Sequence, residues 1–196
     1  LLWEQKVVGE LDAAIESGQI VPYLQAQVNQ KGEMEGAEVL IRWQHPTEGL
    51  LSPGSFLPIL ERNGQIAQAD CCIWEKACRI LARWKKEGRD KLYLSINISP
   101  KDFYFMDVYE KLTSLVEQYG ISPQNLRLEI TETVMMDDMD RRLLLIEKLQ
   151  KYGFLVEMDD FGSGYSSLNM LKDIPVDVLK IDMMFLYKTK NPEKAR

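Results

Sequence analysis

The chain has 196 residues, 45% of them apolar and 28% charged, with a formal net charge of −6. That composition suits one sizeable soluble core, and the acidic balance argues against general affinity for nucleic acid or for an anionic membrane surface. No apolar run reaches the ~18 residues of a membrane-spanning helix, and the three cysteines, Cys71, Cys72 and Cys78, read as core thiols in a reducing cytoplasm.

Residues 1–18, LLWEQKVVGELDAAIESG, have the spacing of a leading amphipathic helix. Six strands are predicted, over 20–28, 37–43, 92–99, 126–133, 154–160 and 177–183. Helices are predicted near 55–63, 70–87, 107–119, 138–152 and 165–172, with Gly88, Gly120 and Gly153 standing where C-terminal glycine caps belong. Strands that alternate with helices make βα units and a largely parallel sheet. At the end, NPEKAR offers Asn191 as an N-cap and Pro192 at a first helical position. The domain is therefore expected to be unfinished there. No repeat, linker or low-complexity run divides residues 1–196, which read as a single domain.

Residues two apart on a strand share a face. Glu38, Leu40 and Arg42 thus oppose Val39, Ile41 and Trp43. Ser95, Asn97 and Ser99 oppose Leu94, Ile96 and Ile98. Arg127, Glu129, Thr131 and Thr133 oppose Leu126, Leu128 and Ile130, and Lys180 and Asp182 oppose Leu179 and Ile181. One face of each strand suits covering helices. The other carries acid, amide or lysine, which in a parallel sheet points to a barrel whose inward polar groups gather at the strands' C-terminal ends.

That inventory is Glu38, Asn97, Glu129, Asp159, Asp160 and Lys180. Its candidate ligands are all oxygen donors, which fit Mg²⁺ or Mn²⁺ better than zinc or copper. Adjacent like charges repel, so Asp159–Asp160 is either a turn with a capping aspartate or a pair held by dications sharing one carboxylate. The single histidine, His45, lies in a W-Q-H-P turn and gives little support to a Ser-His-Asp or Cys-His mechanism.

From about Gln19 to the end, the motifs YLQAQV, EVLIRWQHPTEGLLSPGSFLPILE, INISP, LEITET, DDFGSGYSSLNML and LKID stand in order. With them the chain resembles the EAL-domain proteins, the bacterial cyclic-di-GMP phosphodiesterases. The resemblance implies an α/β fold of the (β/α)₈ TIM-barrel type, hydrolysis of cyclic-di-GMP to linear pGpG, and two bound ions of Mg²⁺ or Mn²⁺. It makes Glu38, Asn97, Glu129 and Asp159 metal ligands, with Asp160 on the second ion. Lys180 would position or help activate the attacking water. Gln25, Leu40 and Arg42 would contact substrate, and Glu132 would anchor the regulatory loop 161–168. It also implies a homodimer and an attached sensory or GGDEF-type domain.

Two departures are visible. The signature E-A-L is Glu38-Val39-Leu40 here, and Ala26 stands where the family usually has proline. More consequentially, the family's last two strands, which add further glutamates, are expected to lie beyond Arg196. A non-catalytic cyclic-di-GMP receptor and an inactive scaffold are the alternatives to the enzyme.

Overall fold

The computed structural model describes residues 2–135, 138–161 and 174–181. The predicted helix over 165–172, nearly all of the loop 161–168, Asp182 and NPEKAR lie outside them.

Helix α1 (Leu2–Glu16) turns Val7, Leu11 and Ala14 inward, as its spacing requires. It leads into β1 (Ile20–Val28), which pairs antiparallel with the long β2 (Met34–His45). A three-residue strand, β3 (Gly49–Leu51), folds back on the end of β2. Helices α2 (Pro53–Arg62) and α3 (Ile66–Lys86) then cross to β4 (Tyr93–Asn97). After it come the one-turn α4 (Asp102–Phe105), α5 (Val108–Tyr119) and a 3₁₀ turn at Pro123–Asn125. The rest is β5 (Leu126–Thr131), α6 (Glu132–Met135), α7 (Met139–Tyr152), β6 (Val156–Phe161) and β7 (Val178–Ile181). Strand order is β1-β2-β4-β5-β6-β7, and all neighbours from β2 to β7 along this path run parallel. This is the α/β, barrel-type architecture expected, entered through an antiparallel hairpin, with β1 and β7 at the two ends of the path.

Three of the boundary differences have a clear physical reason. The segment read as a strand over 126–133 leaves the sheet at Thr131, where pairing to Asp159 ends, and Glu132 opens a short helix. β2 extends well beyond 37–43 because it is paired along its length by β1 and at its end by β3. α3 begins four residues early, at Ile66, since Ile66, Ala67 and Ala69 continue its buried stripe.

The outer face of the sheet holds the core. Val39, Ile41, Trp43, Leu94, Ile96, Leu126, Leu128, Val156 and Met158 are buried beneath the helices, among them Phe56, Leu60, Trp74, Leu112 and Leu149. Trp43 meets Phe56 edge to face at 5.7 Å between centroids. At the start of β2, Gly36 lies so close to β4 that a Cβ there would come within 2.6 Å of the Tyr93 ring and carbonyl. Only glycine permits that approach. Gly120 caps α5 at φ 60°.

His45 is more than a turn residue. It is 4% exposed at the end of β2, its Nε2 lies 2.9 Å from Glu10 Oε2, and its Nδ1 accepts from the Thr47 and Glu48 amides. The ring ties α1 to the β2–β3 turn. The cysteine thiols are unpaired, and burial pushes Cys78 up to about 12 and Cys71 to about 11, which leaves both inert. Among the described residues no helix is long and apolar enough to cross a membrane.

Candidate active site

The register settles which side chains face inward together. Glu38 stands opposite Ser95, Asn97 opposite Glu129, and Glu129 opposite Glu157. Two residues along each strand come Arg127, Thr131 and Asp159, and Val178 opposite Glu157 sets Lys180 on the same face. Across the hairpin, Gln25 faces Glu38, Tyr23 faces Leu40 and Val21 faces Arg42. One continuous inward face therefore carries almost every position named from the sequence.

Within that face some side chains meet. Asn97 Nδ2 donates to Glu38 Oε1 at 3.4 Å, and the Trp74 indole donates to the Asn97 carbonyl at 3.1 Å, pinning the end of β4. Glu129 is 1% exposed and pairs with the Lys180 ammonium, which also lies 3.4 Å from Glu157 Oε2. Burial draws the Lys180 pKa below its ordinary value. Glu38 nearby opposes that shift and Arg127 adds to it.

Beneath this pair lies an ionic layer that sequence reasoning missed. Glu157, itself 1% exposed, accepts from Ser95 Oγ at 3.0 Å and from Arg127 Nη1 at 2.9 Å. The Arg127 guanidinium lies over the Tyr93 ring, 3.3 Å from its centroid. The signal was present, since Glu157 is two residues before Asp159 and so shares its face. A glutamate inside an apolar run is simply easy to pass over.

Asp159 lies in register with Thr131, on the inward face. Asp160 does not follow the pleat. Its φ of 54° is left-handed, and the β6–β7 register shifts between Met158 and Phe161. Such a φ is uncommon outside glycine, and aspartate is among the residues that tolerate it. The kink re-aims a carboxylate that a regular strand would send to the helix side. Arg42 sits 5.6 Å over the Tyr23 ring and donates Nη1 to the Ile41 carbonyl at 2.9 Å, and Leu40 is half-buried while Gln25 is exposed. Glu132 is 6% exposed at the start of α6, and nearly all of the loop assigned to it falls outside the described residues.

A cavity of about 620 Å³ opens beside Glu38 and Asn97, walled by Leu40, Leu57, Ile66, Thr131 and Lys101. At its rim lies the Asp70 carboxyl, with the Asp102 carboxyl close enough for the two to act on each other. Burial raises Asp70 well above the usual carboxylate range and Asp102 to about 7. Asp102 Oδ2 also accepts from the Ser99 amide at 2.7 Å, fixing the turn that follows Asn97.

The donor set fits hard divalent cations: carboxylates and an amide oxygen on adjacent strands, with Glu129 Oε2 buried and without a hydrogen-bond partner among the described residues. Among the same residues, no three Asp, Glu, His or Cys side chains converge into a ligand cluster. The Lys180 ammonium stands against the Glu129 carboxylate.

Comparison with known proteins defines the class. Residues 8–196 match the model of the family described as "EAL domain". The chain belongs to the EAL domain family. It is 36% identical over 182 residues to the bifunctional diguanylate cyclase/cyclic di-GMP phosphodiesterase MucR of Pseudomonas aeruginosa, covering 92% of this chain and 27% of that protein. Cyclic di-GMP phosphodiesterase NbdA of the same organism is 37% identical over 155 residues, covering 79% of this chain and 20% of its own length. The chain thus spans about a quarter of the length of these curated relatives. Among solved structures, the PaMucR phosphodiesterase in complex with c-di-GMP superposes with a TM-score of 0.87 at 34% identity, covering 97% of this chain and 77% of that one. The EAL enzyme Bd1971 in its cAMP- and cyclic-di-GMP-bound form gives 0.85 at 29% identity, covering 99% and 54%.

Proposed function

We propose that this chain is the phosphodiesterase domain of a cyclic-di-GMP signalling protein, hydrolysing the cyclic dinucleotide to linear pGpG. The observation that carries the reading is the inward face itself. Glu38, Asn97, Glu129, Asp159 and Lys180 occupy one face of five neighbouring strands, and a cavity large enough for a nucleotide opens beside Glu38 and Asn97. The MucR and NbdA names support the substrate.

Glu38, Asn97, Glu129, Asp159 and Asp160 would be the residues to hold two ions of Mg²⁺ or Mn²⁺. Such ions lower the pKa of a bound water and neutralise charge on a phosphoryl group. Around them the chain's own groups orient the reaction. Arg42 presents its guanidinium donors to a non-bridging phosphate oxygen. Leu40 supplies an apolar wall, and Gln25, opposite Glu38, offers an amide to the substrate. Lys180 donates a hydrogen bond to the attacking water and adds positive charge where the transition state gathers negative charge. The water oxygen forms the new P–O bond in line with the P–O3′ bond that breaks. The water's proton passes to the departing 3′ oxygen, leaving a 5′-phosphate and a 3′-hydroxyl. Glu132 at the head of α6 is assigned to anchor the loop after β6.

The same reading takes residues 1–196 as one EAL-type domain in the cytoplasm, able to form a homodimer and joined to a sensory or GGDEF-type domain. The pairing of Lys180 with Glu129 favours one second reading, a receptor that binds cyclic-di-GMP without cleaving it, because that lysine already neutralises a ligand carboxylate. The test is conversion of cyclic-di-GMP to pGpG with Mg²⁺ or Mn²⁺, followed by chromatography, in the wild type and in Glu38→Ala. Turnover should fall at least ~10³-fold, on the order of 4 kcal/mol of transition-state stabilisation. Equal turnover in the variant refutes the assignment, and saturable binding with no pGpG from the wild type establishes the receptor instead.

A further inference from the structure

A second cavity, of about 530 Å³, opens at the other end of the strands, where β4 and β5 begin. Lys85, Arg89, Lys91 and Arg127 line it, and Asp90 is the single acid among the described lining residues. In a chain of net charge −6, four cations around one hollow run against the bulk composition. They are only partly cancelled: Arg127 pairs with Glu157 at 2.9 Å on its inner side. Arg89 reaches the Glu87 carboxylate only at 3.8 Å, and Lys85 Nζ donates to the Gly120 carbonyl at 2.7 Å, which uses one of its three hydrogens. Arg127 Nε is buried and has no hydrogen-bond partner among the described residues.

The walls are held in place. Asn125 Nδ2 donates to the Asp90 carbonyl at 2.9 Å and the Leu92 carbonyl at 2.8 Å, clamping the turn before β4 to the turn before β5. The Arg89 amide donates to the Trp84 carbonyl at 2.8 Å, closing the end of α3. Between the cations, Leu81, Leu92, Ile121 and Leu155 form an apolar wall. A concave, pre-formed hollow with an apolar side and converging cationic donors matches a ligand that is part flat and apolar, part anionic. Its volume lies in the range of about 300–1,000 Å³ found for small-molecule sites, well above what a lone inorganic anion fills.

We propose that this basal cavity binds a phosphate-bearing small molecule of mononucleotide size, at a site distinct from the candidate active site. The two ends of the sheet are joined through side chains. Arg127 lines the cavity and grips Glu157, Glu157 lies beside Lys180, and Lys180 pairs with Glu129. An anion drawn to Arg127 competes with Glu157 and so bears on the catalytic lysine.

The assignment does not rest on the hydrolytic reading, and its test runs without metal. Calorimetric titration of AMP and of inorganic phosphate in EDTA is applied to the wild type, to Arg89→Ala/Lys91→Ala and to Arg42→Ala. AMP should bind saturably and at least tenfold more tightly than phosphate. The double variant should weaken AMP at least tenfold, whereas Arg42→Ala should leave it unchanged. If the double variant melts early, backbone amide shifts on AMP addition decide in the wild type, and they should move at 89–93 and 122–127. The proposal is overturned by no saturable AMP binding, by equal weak binding of both probes (an adventitious ion only), by unchanged affinity in a folded double variant, by loss of binding in Arg42→Ala, or by shifts confined to the strand C-terminal ends.

Discussion

The outer and inner faces of the sheet are cut from alternate residues of the same strands, and they obey opposite rules. Outward, Val39, Trp43, Leu94, Leu126 and Val156 belong to one apolar cluster beneath the helices. Inward, Ser95, Arg127, Glu129, Glu157 and Lys180 form a charged layer in which each buried carboxylate meets a cation. The outer face gains free energy from area removed from water. The inner face gains little net stability from its ion pairs, since desolvation offsets most of the attraction. Its charges are better explained by chemistry than by folding. Substitutions on the two faces should therefore separate stability from activity.

The largest break comes on the outer face. Trp43 is fully buried, packed edge-on to Phe56, and its indole nitrogen donates to Gln19 Oε1 at 3.0 Å. Trp43→Ala should cost about 3–5 kcal/mol in chemical denaturation, the range for large aromatics cut from cores. A loss below about 1 kcal/mol would mean that the core does not depend on this side chain.

A finer test uses neighbours in the chain. Val39 and Leu40 both line the cavity, but Val39 is 3% exposed beneath the helices whereas Leu40 is half-buried. Val39→Ala removes two buried methyl groups and should cost about 2 kcal/mol with little change in kcat/KM. Leu40→Ala should do the reverse, costing under about 1 kcal/mol and raising KM for cyclic-di-GMP. Equal effects of both variants on turnover would collapse the distinction between the faces. The same pair accounts for valine in the E-V-L signature, because the middle position is buried in the core, where either aliphatic side chain packs.

Period-two alternation made both faces legible in the sequence, because an inward glutamate two residues from an inward arginine, as at Glu129 and Arg127, needs no structure to be noticed. Glu157 escaped because it interrupts an apolar run that also reads as a fully buried strand, and its partner Arg127 lies thirty residues away in the chain. The end of β5 escaped because Thr131 and Thr133 favour strands by propensity, whereas the helix at Glu132 is set by where partner hydrogen bonds stop. The kink at Asp160 is a backbone choice that no side-chain pattern announces. The basal cavity is likewise invisible to pattern, since Lys85, Arg89 and Lys91 look like an ordinary solvated helix end until β5 brings Arg127 beside them.

The smallest shift is expected where the two faces meet, at Asp70 and Asp102. Asp102 is fully buried between α3 and the turn after β4, and the charged groups acting on the pair are Glu61 from α2 and each other. Burial raises Asp102 to about 7, so the folded state keeps a proton that the unfolded chain releases near its ordinary value of 3.8. Stability from this group is complete below that ordinary value and is lost as pH rises through about 7. The limiting slope for one proton is about 1.4 kcal/mol per pH unit. Melting temperature should therefore decline from about pH 4.5 to 7 in the wild type. Asp102→Asn retains an oxygen to accept the Ser99 amide but has no proton to release, so its profile should become shallower over that interval, keeping only the share of the buried Asp70. An unchanged profile in Asp102→Asn would show that Asp102 holds no excess proton in the folded state.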